Sequence, residues 1–415
     1  MSGRLLAPLG IPAYRSLWLA SVVSNFGTMI QSVGVAWLMT SLTGSPVLVA
    51  MVPFAALSPV LLFGMIGGAL ADMFDRRGWM LKTQTGMLLA AAALAALTAS
   101  GHAAPASLLV LIFLLGVGNA LNVPAWQSAI QDLVPLELVP SAVSLNAMSF
   151  NLARTLGPVI GGILVGWIGV AGVMWINAMS FLAVIVALLS WKPVQRLLPG
   201  RQRVLAAVIE GVRYLAGARH LLGPYALVVL FCLCGSSAMA LLPLVARESL
   251  GLNAPEYGML LGAFGLGALA GGASVPTMRR LASPRLVVQA GGVVAGISLA
   301  LLAVSGQLTT AAMALVLCGA SWVSTMINLN VAVQTTVISE MRGRAMACYF
   351  TLFQGSFAIG ALLSGWAARF FGLRGALFLA SLLAIAWLPM ALRLGKGLGN
   401  HTGPGVPPET PLGSA

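Results

Sequence analysis

The sequence predicts an all-α membrane protein of twelve transmembrane helices, built as two parallel six-helix repeats. Three observations predict this. Of the 415 residues, 59% are hydrophobic and 7% charged, and the mean hydropathy is +0.97. A soluble domain carries about 25% charged residues, so this chain has too little polar surface to cover its apolar mass. Twelve segments reach the roughly 20 apolar residues that a bilayer core of about 30 Å requires. Finally, glycines recur at one fixed separation between the two halves of the chain.

Taken in order, the first six spans lie at Leu17–Met39, Val47–Ala71, Leu81–Ser100, Ala106–Gln127, Ser141–Trp167 and Val170–Trp191. A charged stretch from Lys192 to His220 follows. The second six lie at Leu222–Ala246, Tyr257–Thr277, Leu286–Ser305, Thr309–Ile338, Ala345–Phe370 and Leu373–Leu394. The expected organisation is a bundle over 1–191, a central loop over 192–221, a second bundle over 222–394 and a disordered tail over 395–415. The tail is rich in Gly and Pro. The first apolar run is too long for a cleavable signal and lacks a small-residue cleavage site.

The basic charge sorts by loop. Of 22 Lys and Arg, 18 fall on alternate connections facing one side, including Arg76, Arg77, Arg279, Arg280 and the six between Lys192 and Arg219. The other side has Arg247, Arg369 and Arg374, and Arg154 falls inside a span. The positive-inside rule then puts both termini and the central loop in the cytoplasm. The net charge of +13 is accounted for by topology and by attraction to anionic lipid, not by nucleic-acid binding. Cys232, Cys234, Cys318 and Cys348 lie in apolar runs without a metal or disulfide spacing, so no metal or cofactor is expected.

The repeat has a separation of 203 residues. Gly157, Gly162, Gly169 and Gly172 recur as Gly360, Gly365, Gly372 and Gly375, Gly116 as Gly319 and Ala142 as Ala345. At the same separation Gly68, Arg76 and Arg77 match Gly271, Arg279 and Arg280. Two such halves can rock about a site between them, which is a route to alternating access.

Specific motifs carry a resemblance. Gly68-Ala69-Leu70-Ala71-Asp72-Met73-Phe74-Asp75-Arg76-Arg77 resembles the signature loop between the second and third helices of the major facilitator superfamily. Gly157-Pro158-Val159-Ile160-Gly161-Gly162 is similar to the fifth-helix motif of its antiporters and exporters. Asp132-Leu133-Val134-Pro135, with Ala142, Asn146 and Arg154 downstream, resembles the transmembrane-secretion-effector branch, which includes siderophore and macrolide exporters. There are departures: Ile112 stands where many proton-coupled antiporters have Arg, Ser144 and Ala153 replace motif glycines, and Val275 stands at the repeat position of Asp72.

The resemblance implies a gating role for Gly68, Asp72, Arg76 and Arg77. Asp72 would meet the positive N-terminus of the eleventh helix and tie the halves together on the cytoplasmic side. Arg76 and Arg77 have Asp75, Asp72 or Glu340 as possible partners, or serve only as topology anchors. In the fifth helix Pro158 is expected to kink the backbone, and Gly157, Gly161 and Gly162 to allow close packing or a hinge.

Arg154 lies 13 residues into its span, about 20 Å deep. A charge there normally faces a cavity or a partner. No Asp or Glu lies within any span, so helix carbonyls, water or an anionic substrate group remain as partners. The resemblance makes the first, fourth, seventh and tenth helices the cavity walls. On them Gln31, Asn119, Asn122 and Asn328, with Trp322, are candidates for lining it, each with the alternative of an interhelical hydrogen bond.

The expected function is secondary active efflux of small amphipathic or anionic molecules, siderophore-like, by a monomer in the bacterial inner membrane. Macrolide or multidrug efflux and lysophospholipid flipping are the alternatives. Proton exchange as the driving reaction is implied by the resemblance, while no embedded Asp, Glu or His supplies an evident carrier. No catalytic constellation argues for an enzyme, and no nucleotide-binding loop of the GxxxxGK[ST] type occurs.

Overall fold

The computed structural model describes residues 5–191, 221–337 and 342–394, without the side chains of 65, 69, 71, 72, 342–344 and 394. The expected central loop and tail lie outside the described residues. What is described forms ten long helical runs, each apolar enough to cross a bilayer.

Two runs are too long for a single crossing. Val139–Ser190 has 52 residues and Arg342–Leu394 has 53, about 78 Å of helix against a core of about 30 Å. Each is broken at one glycine: Gly169 (φ 73°, ψ 173°) and Gly372 (φ 72°, ψ 170°). That backbone region is open essentially to glycine alone. The ten runs are therefore twelve helices. In chain order these are α1 Pro12–Leu42, α2 Pro46–Met73, α3 Arg76–Ala99, α4 Pro105–Leu133, α5 139–168 and α6 170–190. The second set is α7 Leu222–Leu244, continued by a π-helical turn Val245–Ser249, then α8 Ala254–Leu281, α9 Pro284–Val304, α10 Leu308–Thr336, α11 342–371 and α12 373–394.

Local chemistry starts these helices. Proline occupies the first turn of α1, α2, α4 and α9, where its missing N–H costs nothing. Asp75 caps α3 by accepting from the Gly78 amide at 2.7 Å. Asn253 and Glu256 form a reciprocal capping box at α8, and Ser283 caps α9.

The packing is duplicated. α1 packs on the α5–α6 pair as α7 packs on α11–α12; α2 packs on α4 as α8 packs on α10; α3 bridges α4 and α6 as α9 bridges α10 and α12. Small residues permit the close crossings. A methyl on Gly116 would strike the Ala56 carbonyl of α2, and one on Gly319 the Phe264 carbonyl of α8. Hydrogen bonds repeat as well. Tyr14 donates to the Ala142 carbonyl and Tyr225 to the Ala345 carbonyl, both at 2.9 Å.

The repeat register needs one correction. The separation of 203 holds for α4–α6 against α10–α12, including both reversing glycines. It does not hold for the arginines. Arg76 and Arg77 begin α3, whereas Arg279 and Arg280 end α8. The true mate of Arg77 is Arg285, the second residue of α9. Arg77 donates to the carbonyls of Leu188 and Leu189 at the end of α6, and Arg285 to that of Leu392 at the end of α12. The separation is 208 at the starts of α3 and α9 and 203 at those of α4 and α10, because α9 is three residues shorter than α3 and the connection after it two shorter.

Candidate functional site

The helix ends define two faces. The basic end carries Arg76, Arg77, Arg279, Arg280, Arg285 and Arg393; the distal end carries Arg247, Arg369 and Arg374.

The two six-helix sets meet from the distal end to mid-helix. On one flank α5 crosses α8 at Gly162 and Gly258, where a methyl on either would lie 2.8 Å from the other's Cα. On the opposite flank α11 crosses α2 at Gly365, where a methyl would lie 2.9 Å from the Pro46 carbonyl oxygen. Gly162 and Gly365 are mates in the repeat, so one contact is the counterpart of the other. Between these flanks Arg247 of the π turn donates to Ser41 (2.7 Å) and Thr40 (3.3 Å) of α1, and lies 5.8 Å over the Trp37 ring. Trp37 in turn stacks on Tyr257 of α8 at 5.8 Å. At the basic end the arrangement is different. The hydrogen bonds of Arg76, Arg77, Arg279 and Arg285 all stay within one set. The structure is thus latched at the distal end.

Arg154 sits midway along α5. Successive residues turn by about 100°, which divides the helix into arcs. Gly157 and Gly161 face Met29 and Ile30 of α1; Thr155, Val159 and Gly162 face α8. Leu152, Leu156 and Ile160 form an exposed apolar arc on the far side. Arg154 lies on the remaining arc, between α1 of one set and α8 of the other. It is exposed, and among the described residues no hydrogen bond or ion pair is made to it. It does not bond the helix carbonyls, and it does not lie on the apolar arc.

Asn119 is also exposed. It shares an arc of α4 with Trp126 and Ile130, which pack near Tyr14 and Leu17 of α1, and lies opposite exposed Val110 and Leu114. On α1 Asn25, Thr28 and Ser32 share one arc, with Thr28 and Ser32 exposed. Neutral amides and hydroxyls therefore accompany one guanidinium around the interior. Sequence reasoning had not singled out Thr28 or Ser32; their one-turn spacing with Asn25 was the available signal.

The other predicted lining residues are engaged elsewhere. Gln31 is buried and accepts from Asn177 of α6 at 2.8 Å. Asn122 is buried and accepts from Thr83 of α3 at 3.1 Å. Asn328 accepts from Arg279 at 3.0 Å, close to the basic end. Trp322 is buried among Phe231, Phe353 and Phe357, with ring centroids at 5.3, 6.1 and 5.6 Å. These four serve seams and core rather than the interior wall, because a buried amide or ring finds its partner on the neighbouring helix.

The predicted gating residues divide similarly. Arg76 pairs with Asp132 of α4 and Arg77 grips the end of α6, both within the first set. Glu340 and the side chain of Asp72 lie outside the described residues. Gly68 has open space where a methyl would go, while a methyl on Gly67 beside it would lie 2.7 Å from the Ala120 carbonyl oxygen of α4. The close approach belongs to Gly67. Within the fifth-helix motif, Gly157 and Gly161 pack inside the first set and Gly162 packs across to the second. The backbone stays helical through Pro158; the break comes at Gly169. The distal latch, Arg247 with Trp37 and Tyr257, was not foreseen, although an arginine on the charge-poor end was a usable signal.

Comparisons agree with this architecture. The chain is 26% identical over 386 residues to the multidrug efflux pump Tap of Mycolicibacterium fortuitum, covering 90% of this chain and 92% of that one. It is 26% identical over 363 residues to the enterobactin exporter EntS of Salmonella choleraesuis, covering 85% of each. In structure it matches a bacterial homologue of the human lysosomal transporter Spinster, in an inward-facing and occupied conformation. That match has a TM-score of 0.75 and 12% identity, and covers 94% of this chain and 97% of the other. The model of the transmembrane secretion effector family matches residues 4–399. With its duplicated six-helix packing, the chain belongs to that family of major facilitator transporters.

Proposed function

We propose that the chain exports small amphipathic anions, of the siderophore type, by alternating access across a bacterial inner membrane. The observation that carries this reading is Arg154. A guanidinium that is exposed and has no partner among the described residues at mid-membrane depth is costly unless something of opposite charge visits it. The neutral amides and hydroxyls of α1 and α4 supply orientation without competing charge. Similarity to an enterobactin exporter supports a substrate of this class.

In this reading the basic end faces the cytoplasm, following the positive-inside rule. The latched distal end then faces outward, and substrate enters from the cytoplasm toward Arg154. Release requires the Arg247 contacts and the two glycine crossings to open while the basic end closes. Similarity to a multidrug pump supports a second reading, in which amphipathic shape matters more than charge.

Uptake into inverted membrane vesicles separates the two, using a panel of catecholate siderophores, hydroxycarboxylate siderophores and macrolides. Arg154→Ala is expected to lower transport of the anionic compounds at least tenfold and not to lower that of macrolides, whose amino sugar is cationic at neutral pH, since a charge-assisted contact contributes about 1.5–3 kcal/mol. Equal rates for wild type and variant on every anion would overturn the anion reading.

A further inference from the structure

We propose that the second six-helix set binds an aromatic ring of the substrate, on a face formed by Phe353 and Phe357 on the flank opposite Arg154. The substrate class is then an aryl anion, a compound whose acidic group and aromatic ring are held by different halves of the chain. This rests on the anion reading of Arg154 above and adds what the rest of the substrate must be.

The repeat supplies the placement. At the separation of 203 that holds for α4–α6 against α10–α12, Phe357 of α11 stands where Arg154 stands on α5, and Trp322 of α10 where Asn119 stands on α4. Two polar positions of the first set are thus two aromatic positions of the second. The side of α11 that carries Phe357 follows from its neighbours. Gly360 faces Leu233 and Ser236 of α7, while Gly355 and Gly365 face α2 at Leu61 and Pro46. Ile359, Leu363, Trp366 and Phe370 form the exposed apolar arc. At about 100° per residue, Phe357 falls between the α7 arc and the α2 arc, on the side away from that apolar arc. Arg154 falls between α1 and α8 in the same way. Phe353, one turn nearer the basic end, lies beside Phe357 at the edge of the α7 arc.

The rings of the second set are joined. Trp322 lies 5.6 Å from Phe357, edge to face, 6.1 Å from Phe353 and 5.3 Å from Phe231. Phe231 in turn lies 5.7 Å from Trp387 of α12. Phe231, Trp322 and Trp387 are buried, and the Trp322 ring fills the space that a side chain at Gly235 would need. Phe353 and Phe357 are half-buried. Three rings therefore serve as core, and the two on α11 keep part of their surface open.

Rings packed from behind lose little freedom when a ligand covers their open side. An aromatic ligand ring then gains about two- to tenfold in affinity beyond the burial of its area. A saturated group gains the area alone. An acid held at Arg154 leaves its ring to this face, so one substrate touches both halves that move against each other.

Equilibrium dialysis of the full chain in detergent tests this with naphthalene-2-sulfonate and decahydronaphthalene-2-sulfonate. The two share a carbon skeleton and a permanent negative charge, and differ in the π-face. Wild type is expected to bind the naphthalene compound about two- to tenfold more tightly. Phe357→Leu is expected to remove that preference while holding the affinity for the saturated compound, and with it the fold, within about twofold. Phe353→Leu is expected to reduce the preference as well, and gives the same comparison if Phe357→Leu loses monodispersity. Arg154→Gln is expected to weaken both compounds alike and keep their ratio. Equal or reversed affinities in wild type, or a preference that survives both Phe variants, overturn the aromatic face and leave the anion reading standing. Binding of neither compound, or affinities that Arg154→Gln does not change, overturn the anion reading itself.

Discussion

At the residue scale, the same amide can build a wall or a seam, and only the neighbouring helix decides. Gln31 and Asn119 lie at similar depths, yet Gln31 spends its carbonyl on Asn177 while Asn119 remains exposed. A sequence shows that an amide lies in a span; it does not show which helix stands opposite, so Gln31, Asn122 and Asn328 could not be sorted from Asn119 in advance. Arg154 was legible because a charge among apolar residues needs no partner to be conspicuous. Arg247 matters for a different reason: it holds two hydroxyls of α1 and lies over Trp37. The pair of bonds is partly exposed, which leaves a net contribution of about 1 kcal/mol. Arg247→Ala is therefore expected to shift the population away from the distally latched state by about fivefold. Faster alkylation of a cysteine introduced at Ser45 reports that shift; an unchanged rate would count against the latch.

At the element scale, the twelve helices were readable from run length alone, since a bilayer of fixed thickness demands about 20 apolar residues per crossing. The reversals were readable too, because Gly169 and Gly372 recur between apolar runs and adopt a conformation that other residues resist. What failed was the arginine register, because α9 is three residues shorter than α3 and the connection after it two shorter, so helices before and after that point follow different separations. The crossings of α5 with α8 and of α11 with α2 depend on backbone contact at Gly162 and Gly365. A methyl at either position forces the helices apart, at a cost of about 1–3 kcal/mol. Gly162→Ala and Gly365→Ala are each expected to widen the distal end and slow transport at least fivefold. Spin labels at exposed Trp167 and Met259 would show a longer distance in Gly162→Ala than in the wild type. An identical distance distribution would mean that the crossing tolerates the methyl.

At the scale of the whole molecule, a latched distal end and a latched basic end are alternatives that must exchange. The structure holds the contacts of one alternative, and the family resemblance places Asp72 among those of the other. Asp72→Asn is then expected to leave membrane insertion and the latched end intact while lowering transport about two- to fivefold, the scale of a carboxylate at a helix N-terminus. Vesicle transport normalised to inserted protein measures it, and undiminished transport would remove Asp72 from the gate. The one-residue reversals have a mechanical corollary. A chain that turns within a single glycine leaves no slack, so α5 and α6 move as one stiff hairpin, and α11 and α12 as another. Pressure from α8 on the outer part of α5 is handed to α6, whose far tip is clasped by Arg77. Each hairpin behaves as a lever whose fulcrum lies at mid-depth, so parting at one mouth is geared directly to pinching at the other.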